Sequence, residues 1–198
     1  MARPATAILL MHQIEGAFFR DEVRRRAPDI ACILVDNEQD LISAALGAEK
    51  PLMVLSFHNP IIVPPLVLEE IDAGAYNVHP GPPSRPGYRP MEFAWFDEDR
   101  NLGATLHHMN EKVDEGKIID VSHFVLKPTA EASIDFYEGE AYKVAVVLTL
   151  KHLSAMLGKG KLPKSQESWS GQKTTKRQLA LRYEKSGGAV AERCFQIP

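Results

Sequence analysis

The chain has 198 residues, of which 44% are hydrophobic and 25% charged, and this length is sufficient for one domain with a full core and a modest extension. These proportions are ordinary for a globular protein and exclude a disordered, collagen-like or coiled-coil chain as a whole. The formal net charge of −3 gives no overall electrostatic attraction to nucleic acid.

Short apolar runs alternate with helix-like segments in the first part of the chain. Apolar runs without polar alternation are typical of parallel strands buried on both faces. Strands are predicted at 6–12, 30–35, 51–57 and 75–79, and helices at 16–27, 37–47 and 64–71. Asp36 is the expected cap of the second helix, with Gln39 as the third residue of a capping box. The alternation predicts an α/β fold, with a Rossmann-like open and mostly parallel sheet flanked by helices.

The second part of the chain begins with a segment rich in proline and glycine. Residues 80–90 hold Pro80, Pro82, Pro83, Pro86, Pro90, Gly81 and Gly87, which predict a stiff irregular loop. A short helix is expected at 91–96, an antiparallel strand pair at 102–109 and 117–126, and a long helix at 131–157. This loop directly follows a predicted strand end, which is where open sheets of this kind bind ligands.

The last forty residues, 159–198, form a basic extension with nine Lys or Arg against three Asp or Glu. No clear periodicity predicts a helix there, so we expect either a solvated tail docked on the acidic body or a contact with a phosphate-bearing substrate. Trp169, Tyr183 and Phe195 are too sparse for a nucleic-acid stacking platform. The segment around Trp169 is expected to fold back over the core or to contact a second subunit.

Two cysteines, Cys32 and Cys194, are far apart and in no C-x-x-C spacing. This favours a reducing compartment and argues against a disulfide scaffold. The apolar run 7–11 is too short to span a membrane, and no signal-peptide cleavage pattern follows it. We therefore expect a cytoplasmic protein without membrane contact, for which a homodimer is the commonest oligomer.

Polar residues that can carry chemistry cluster after the fourth predicted strand. Asn77 and His79 point to the same side of that strand, because side chains alternate with a period of two. Such N–H groups can stabilise a developing oxyanion. Asp114 lies beside a turn glycine, where it is typical of a turn residue but can also orient a histidine. For metal binding, the adjacent residues His107 and His108 point to opposite faces, so no metal site is expected.

Three segments together resemble the N10-formyltetrahydrofolate-dependent formyltransferases, a family that includes glycinamide ribonucleotide, methionyl-tRNA and sugar N-formyltransferases. The pattern consists of Asn77-Val78-His79-Pro80 with the loop to Arg89-Pro90, then Gly103-Ala104-Thr105-Leu106-His107, then Asp114 to Ile119. The order and the spacings match over about residues 51–157. The resemblance implies a formyltransferase catalytic domain at 1–158, followed by the basic extension.

The resemblance also implies roles for individual residues. Asn77, His79 and Asp114 are expected to be catalytic, with Asp114 keeping His79 protonated and oriented. The expected folate-binding residues are Ile61, Ile62, Val63, Pro64, Val113 and Glu115. The expected acceptor-binding residues are Ser84, Arg85, Tyr88 and Arg89. The co-substrate would be N10-formyltetrahydrofolate, the partner a small-molecule amine, and no metal would be needed.

Several functions stay open at this point. The position of a phosphate-gripping loop in the glycinamide ribonucleotide enzymes here reads 11–16, with one glycine and an acidic residue, which suits a phosphate poorly. We therefore rank a nucleotide-linked amino sugar first among acceptors. The alternatives are a formyltetrahydrofolate hydrolase, in which water is the acceptor, a metal-dependent hydrolase, and a non-catalytic domain that binds folate or another ligand.

Overall fold

A computed structural model describes residues 2–127 and 133–186 of the protein. Within these residues lie six strands: β1 (Thr6–Leu10), β2 (Ala31–Val35), β3 (Leu52–Phe57), β4 (Gly74–His79), β5 (Asn101–His108) and β6 (Ile118–Val125). They also contain six helices: α1 (Gln13–Arg26), α2 (Glu38–Gly47), α3 (Pro65–Glu70), α4 (Pro90–Phe96), α5 (Ile134–Met156) and α6 (Lys176–Lys185).

The strands form one sheet in the order β2-β1-β3-β4-β5-β6. The pairs β1–β2, β1–β3 and β3–β4 are parallel, whereas β4–β5 and β5–β6 are antiparallel. The expected α/β fold with an open, mostly parallel sheet is therefore confirmed, as is the antiparallel pair at the end. One edge of the sheet carries the carboxyl ends of β1 to β4.

Helices cover both faces of the sheet, which explains why every residue of β1 and β3 is buried. On one face, Phe19 of α1 and Leu148 of α5 pack with Leu9 and Leu55 in one fully buried cluster. On the other face, Leu41, Ala45 and Val67 of α2 and α3 pack against Ile8 and Val54. Burial of such side chains is worth about 1.5–3 kcal/mol each, so this double layer fixes the sheet on which the polar edge is built.

The start of α2 differs from the sequence prediction. Asn37 caps this helix, because its Oδ1 accepts a hydrogen bond from the backbone N–H of Asp40 at 2.9 Å. The prediction that Asp36 is the cap was wrong by one residue. Asn37 and Asp36 are both good caps, and the sequence pattern alone does not separate them.

The extension contains a helix that periodicity did not predict. Thr175 caps α6 in a capping box with Gln178, and Leu179 and Tyr183 bury one face of the helix against Phe93 of α4. The expectation of an extension without regular structure was wrong for residues 176–185. Only two buried side chains hold this short helix, so its apolar pattern is too sparse to recognise. Cys194 and Phe195 lie outside the described residues.

Residues 165–175, here called the strap, connect the main body to α6. The strap runs along the proline-rich loop and is hydrogen-bonded to it from Ser170 N to the carbonyl of Pro83 and from Thr174 N to the carbonyl of Pro86, both at 2.9 Å. Of the two alternatives given for the segment around Trp169, the strap follows the first and folds back over the core.

No helix of the described residues is long and apolar enough to cross a membrane.

Candidate active site

The edge where β4 ends brings polar side chains from two strands together. In the antiparallel pairing of β4 with β5, Asn77 lies opposite His107 and His79 lies opposite Thr105. The Asn77 amide nitrogen Nδ2 is 3.0 Å from His107 Nε2. Strand pairing therefore adds His107 to the two residues that the strand period alone had predicted to face one side.

Asp114 reaches the same place from the turn between β5 and β6. Its backbone is left-handed, with φ at 50°. Its Oδ2 lies 3.4 Å from His79 Nδ1, and its Oδ1 lies 3.5 Å from His107 Nε2. The backbone N–H of Gly87 donates to Oδ2 at 2.8 Å. The structure thus brings Asn77, His79 and Asp114, together with His107, into one cluster, which we call the Asn-His-Asp centre.

The hydrogen-bond partners of His79 restrict where its ring carries hydrogen. His79 Nε2 lies 2.8 Å from the carbonyl oxygen of Arg85, which can only accept, so Nε2 carries a hydrogen. The other nitrogen, Nδ1, faces the Asp114 carboxylate. The pair of His79 and Asp114 can therefore take up one more proton on Nδ1, between the two groups.

The centre is almost fully shielded from solvent. His79, His107 and Asp114 expose 3%, 2% and 5% of their surface, whereas Asn77 is half-buried. Burial lowers the pKa of His79, and the opposing charge of Asp114 only partly offsets this. This differs from the expectation that Asp114 keeps His79 protonated. A neutral His79 beside a carboxylate is a base that can accept a proton.

The pKa of Asp114 itself is lowered. Burial alone would raise it, but the contact with His107, the charge that His79 can carry and the Gly87 N–H together outweigh burial. The carboxylate is therefore ionised at neutral pH, although its side chain is buried.

The irregular loop 80–90 closes tightly over His79. Thr105 Oγ1 donates to the carbonyl of Gly81 at 2.7 Å and holds the loop against β5. A Cβ atom at Gly81 would lie 2.6 Å from His79 Nε2, so a side chain there would displace the imidazole. Glycine at this position is thus required by the close approach of the backbone to the ring.

Two of the expected acceptor-binding residues are already paired with carboxylates of the chain. The Arg85 guanidinium lies 2.8 Å from Asp97 and 2.9 Å from Asp99. The Arg89 guanidinium lies 2.5 Å from the buried Glu92, and Glu138 is 3.5 Å away. Both charges are largely compensated by carboxylates of the protein, so neither guanidinium is available to bind a phosphate without losing these partners.

The other two expected acceptor residues lie along the same loop. Ser84 lines a cleft of about 540 Å³ between the loop, the strap and α6. The Tyr88 backbone N–H donates to the carbonyl of Thr174 at 3.0 Å. Tyr88 therefore connects the loop to the strap through its backbone.

The expected folate-binding residues are divided between the surface and the core. Ile62 and Val113 are exposed apolar side chains, and Glu115 lines a cleft of about 620 Å³, whereas Val63 is buried in the core. The walls of this cleft come from α3, β4 and the turn before β6: Leu68, Ile71, Ala75, Met109, Asn110, Glu111, Lys112 and Glu115. Met109 packs against the same buried cluster as Ile61.

A polar rim lies at the ends of β1 and β3, and it includes Glu15 and Tyr142, which sequence reasoning did not connect to the site. Tyr142 of α5 donates from its hydroxyl to Glu15 at 3.3 Å, and its ring packs edge-on against His58 at 5.8 Å between centroids. His58 has a left-handed backbone, with φ at 47°, and follows β3, which is next to β4. Strand order places this rim beside the Asn-His-Asp centre, and only the order, not any local motif, could have indicated it.

Trp169 of the strap is the second functional candidate that sequence reasoning did not single out. Its indole N–H donates to the carbonyl of Gly116 at 2.7 Å. Its ring meets His107 and His79 edge-on, at 5.0 and 5.6 Å between centroids.

Within residues 2–127 and 133–186, no group of three or more His, Cys, Asp or Glu is arranged to hold a metal ion.

The sequence matches the model of a known family. The family model described as formyl transferase matches residues 34–139, which is more than half of the chain. This range contains β3 to β6 and all of the Asn-His-Asp centre. No curated protein matches the sequence significantly.

Solved structures with the same fold include three formyltransferases. A candidate sugar N-formyltransferase from Mycobacterium tuberculosis has 21% identity and a TM-score of 0.66, over 87% of this chain and 75% of that one. The formyltransferase PseJ from Anoxybacillus kamchatkensis, solved with UDP-4,6-dideoxy-4-formamido-L-AltNAc and tetrahydrofolate, has 18% identity and a TM-score of 0.67 over 92% of both chains. An N-formyltransferase from Helicobacter canadensis, solved with folinic acid and dTDP-3-aminofucose, has 17% identity and a TM-score of 0.64, over 87% of this chain and 71% of that one. At these identities the likeness concerns the fold.

Proposed function

The chain belongs to the formyl transferase family, and we propose that it transfers a formyl group from N10-formyltetrahydrofolate to a primary amine of a small-molecule acceptor. The observation that carries this proposal is the convergence of Asn77, His79 and Asp114, with His79 Nδ1 lying 3.4 Å from the Asp114 carboxylate. An amide donor next to a buried imidazole–carboxylate pair provides what amine attack on a formyl group needs. One group stabilises the oxyanion and another receives the amine proton.

Asn77 is the oxyanion donor in this proposal. One of its two amide N–H groups is used by His107 Nε2, so the second N–H is available to the formyl oxygen. Asn77 is also the member of the centre that is not fully buried, so the formyl group would approach beside it. Donors of this kind are worth about 3–4 kcal/mol in related acyl-transfer sites.

The pair of His79 and Asp114 is the proton acceptor. The amine nitrogen forms a bond with the formyl carbon, and its surplus proton moves to Nδ1 of His79, facing Asp114. The bond between the formyl carbon and N10 then breaks, and the proton is delivered to N10 to release tetrahydrofolate. Both ring nitrogens of the transient imidazolium would be satisfied, by Asp114 and by the carbonyl of Arg85.

The folate would lie on the side of α3 and the turn 109–115. A flat pterin needs an apolar cleft with polar groups at its rim. The exposed Ile62 and Val113 and the cleft lined by Leu68, Met109 and Glu115 support this placement. The neighbours solved with tetrahydrofolate and folinic acid support a folate as the carrier.

The acceptor would lie on the polar rim of His58, Glu15 and Tyr142. This rim carries a carboxylate and no glycine-rich anion loop, which suits an amine with neighbouring hydroxyl groups better than a terminal phosphate. The neighbours solved with UDP-linked and dTDP-linked amino sugars support an amino sugar linked to a nucleotide.

The same proposal extends to domain and compartment. Residues 1–158 would form the catalytic domain, and the extension would complete the wall of its active site. Burial raises the pKa of the Cys32 thiol to about 11, so this cysteine stays protonated and unreactive. A free thiol also suits a reducing compartment such as the cytoplasm.

The test is a transfer assay with N10-formyltetrahydrofolate and a panel of amines that includes dTDP-3-aminofucose and amino acids. We expect tetrahydrofolate and a formamide in equal amounts with one class of amine. A His79→Ala variant of the same preparation should form neither. Tetrahydrofolate released with formate at the same rate with or without amine would identify a hydrolase instead. Folate binding without any product would identify a binding protein.

A further inference from the structure

The strap is attached to the irregular loop 80–90 by contacts that leave no room for side chains. Gly171 has φ at 80°, and a Cβ atom there would lie 2.3 Å from the carbonyl oxygen of Ser84. Gly87 has φ at 100°, and its Cβ would lie 2.4 Å from the carbonyl oxygen of Thr174. Two glycines, one on each partner, thus allow backbone to meet backbone, which fixes the strap at a defined position.

Polar contacts on both sides of Trp169 hold the strap in this position. Lys173 reaches Glu115, the neighbour of Asp114, at 2.8 Å. At the other end, Glu167 lies 2.9 Å from His123 of β6. The indole N–H of Trp169 adds its bond to the Gly116 carbonyl. Trp169 is therefore fixed by its own hydrogen bond and by the residues on either side.

The Trp169 ring lies directly against both imidazoles of the centre. Ring centroids 5.0 and 5.6 Å apart, with interplanar angles of 89° and 77°, are edge-to-face contacts without space for a water molecule between the rings. Of the four groups Asn77, His79, His107 and Asp114, only Asn77 keeps appreciable exposure. The indole thus covers one side of the centre, and access is left beside Asn77.

We propose that Trp169 determines the specificity of the reaction for amines over water by excluding water from the His79–Asp114 pair. This inference rests on the proposed function. A water molecule that entered beside this pair would be activated by the same base that serves the amine. Its oxygen would bond to the formyl carbon and the carbon–N10 bond would break. One water proton would end on N10 and the other would leave as the formic acid ionises. Closure against water is a general means of suppressing such side reactions.

The experiment measures formate released from N10-formyltetrahydrofolate without any amine, in the wild type and in Trp169→Ala. We expect the variant to release formate at least about tenfold faster than the wild type, because a gap beside His79 and Asp114 admits water. A role of Trp169 in stability alone would lower this rate or leave it unchanged. The double variant Trp169→Ala/His79→Ala should release formate no faster than the wild type if the water is activated at the same centre.

Controls separate this effect from a loss of structure. Gln166→Ala changes an exposed side chain of the same strap, and its formate release should equal that of the wild type. Circular dichroism and the affinity for folinic acid report folding of each variant. If Trp169→Ala does not fold, Trp169→Leu keeps apolar bulk but leaves a smaller gap, and it should show a smaller gain.

An unchanged or reduced rate of formate release in a folded Trp169 variant overturns the inference but leaves the proposed function intact. The proposed function has its own readout, which is the formamide produced by the wild type with the amine panel. If the wild type forms no formamide with any amine, the proposed function fails, and the specificity role assigned to Trp169 fails with it.

Discussion

His79 has a protein partner at each ring nitrogen, and this arrangement decides its chemical role. A histidine that donated directly to the formyl oxygen would first have to release the carbonyl of Arg85, which lies 2.8 Å from Nε2. Acceptance of a proton at Nδ1 requires no such exchange. The structure therefore favours Asn77 as the oxyanion donor and His79, with Asp114, as the base.

Asn77→Ala tests this division of roles. Loss of the amide donor should lower kcat by about 10²–10³-fold, since one oxyanion donor is worth about 3–4 kcal/mol. Steady-state kinetics of tetrahydrofolate release with a saturating acceptor would measure the effect. Val125→Ala is the control, because Val125 is an exposed residue on β6, and its truncation should leave kcat unchanged. A kcat for Asn77→Ala within about threefold of wild type would contradict the role of donor.

The protonation state of His79 can be titrated directly. Because burial lowers its pKa, the imidazole should stay neutral at pH 7 and take up a proton only below about pH 6.5, the ordinary value for histidine. An NMR titration of the ring signals, assigned by comparison with His79→Gln, would measure this. A midpoint above 6.5 would mean that Asp114 outweighs burial and that the ring is an imidazolium near neutral pH.

At the scale of elements, α6 is held to α4 by a buried carboxylate. The hydroxyl of Tyr183 donates to Glu92, which is buried and also paired with Arg89. Tyr183→Phe should lower the free energy of unfolding by about 1–3 kcal/mol, because it takes a hydrogen bond from a buried charge. Urea unfolding would measure the change. Leu181→Ala, at an exposed position of the same helix, should have little effect, and equal losses in both variants would contradict the importance of this bond.

The strap makes a second prediction at this scale. Gly171→Ala places a Cβ 2.3 Å from the carbonyl of Ser84 at a positive φ, so it should destabilise the strap by about 1–3 kcal/mol. Gly139→Ala in α5 is the matched control, because nothing lies within 4 Å of its Cβ, and it should stabilise the protein by about 0.5–1 kcal/mol. Thermal unfolding and proteolysis of the strap would measure both. Similar effects from the two substitutions would show that the strap is not docked as described.

The elements that the sequence predicted well are those whose pattern is local. Continuous apolar runs predicted β1 to β4 to within two residues at each end, and proline at 64–65 predicted the start of α3. The short helix α6 and the docking of the strap depend instead on contacts between residues far apart in the chain, such as Thr174 with Pro86, which are 88 residues apart. Periodicity contains no information on contacts of this range.

The same distinction applies to the centre. The strand period predicted that Asn77 and His79 share a side, and the family resemblance indicated Asp114. The pairing of β4 with β5 brings His107 to Asn77. The sequence had named His107 as the last residue of the second family segment and as a possible metal ligand, but had given it no catalytic role. Trp169 lies against the centre because the strap folds back over the core. Arg85 and Arg89 were expected at the acceptor, but their partners, Asp97, Asp99 and Glu92, lie in a segment that no motif connected to them.

At the scale of the whole molecule, the sheet and the loops have separate roles in forming the site. Two buried layers of helices fix the strand ends, and the loop 80–90, the turn at Asp114 and the strap then close over β4. The centre is consequently covered by the indole on the Trp169 side and more exposed beside Asn77. Folate and acceptor would have to meet at that opening, with the folate on the α3 side and the amine on the side of β1 and β3.

A crystal structure with folinic acid, a stable formylated folate, would test this account most directly. We expect the pterin beside α3 and the turn 109–115, with the formyl oxygen within hydrogen-bonding distance, about 3 Å, of Asn77 Nδ2. The side of the formyl group away from the folate should open toward the rim of His58 and Glu15. A folate bound elsewhere, or a formyl group separated from Asn77 and His79 by the strap, would contradict the assignment of this centre.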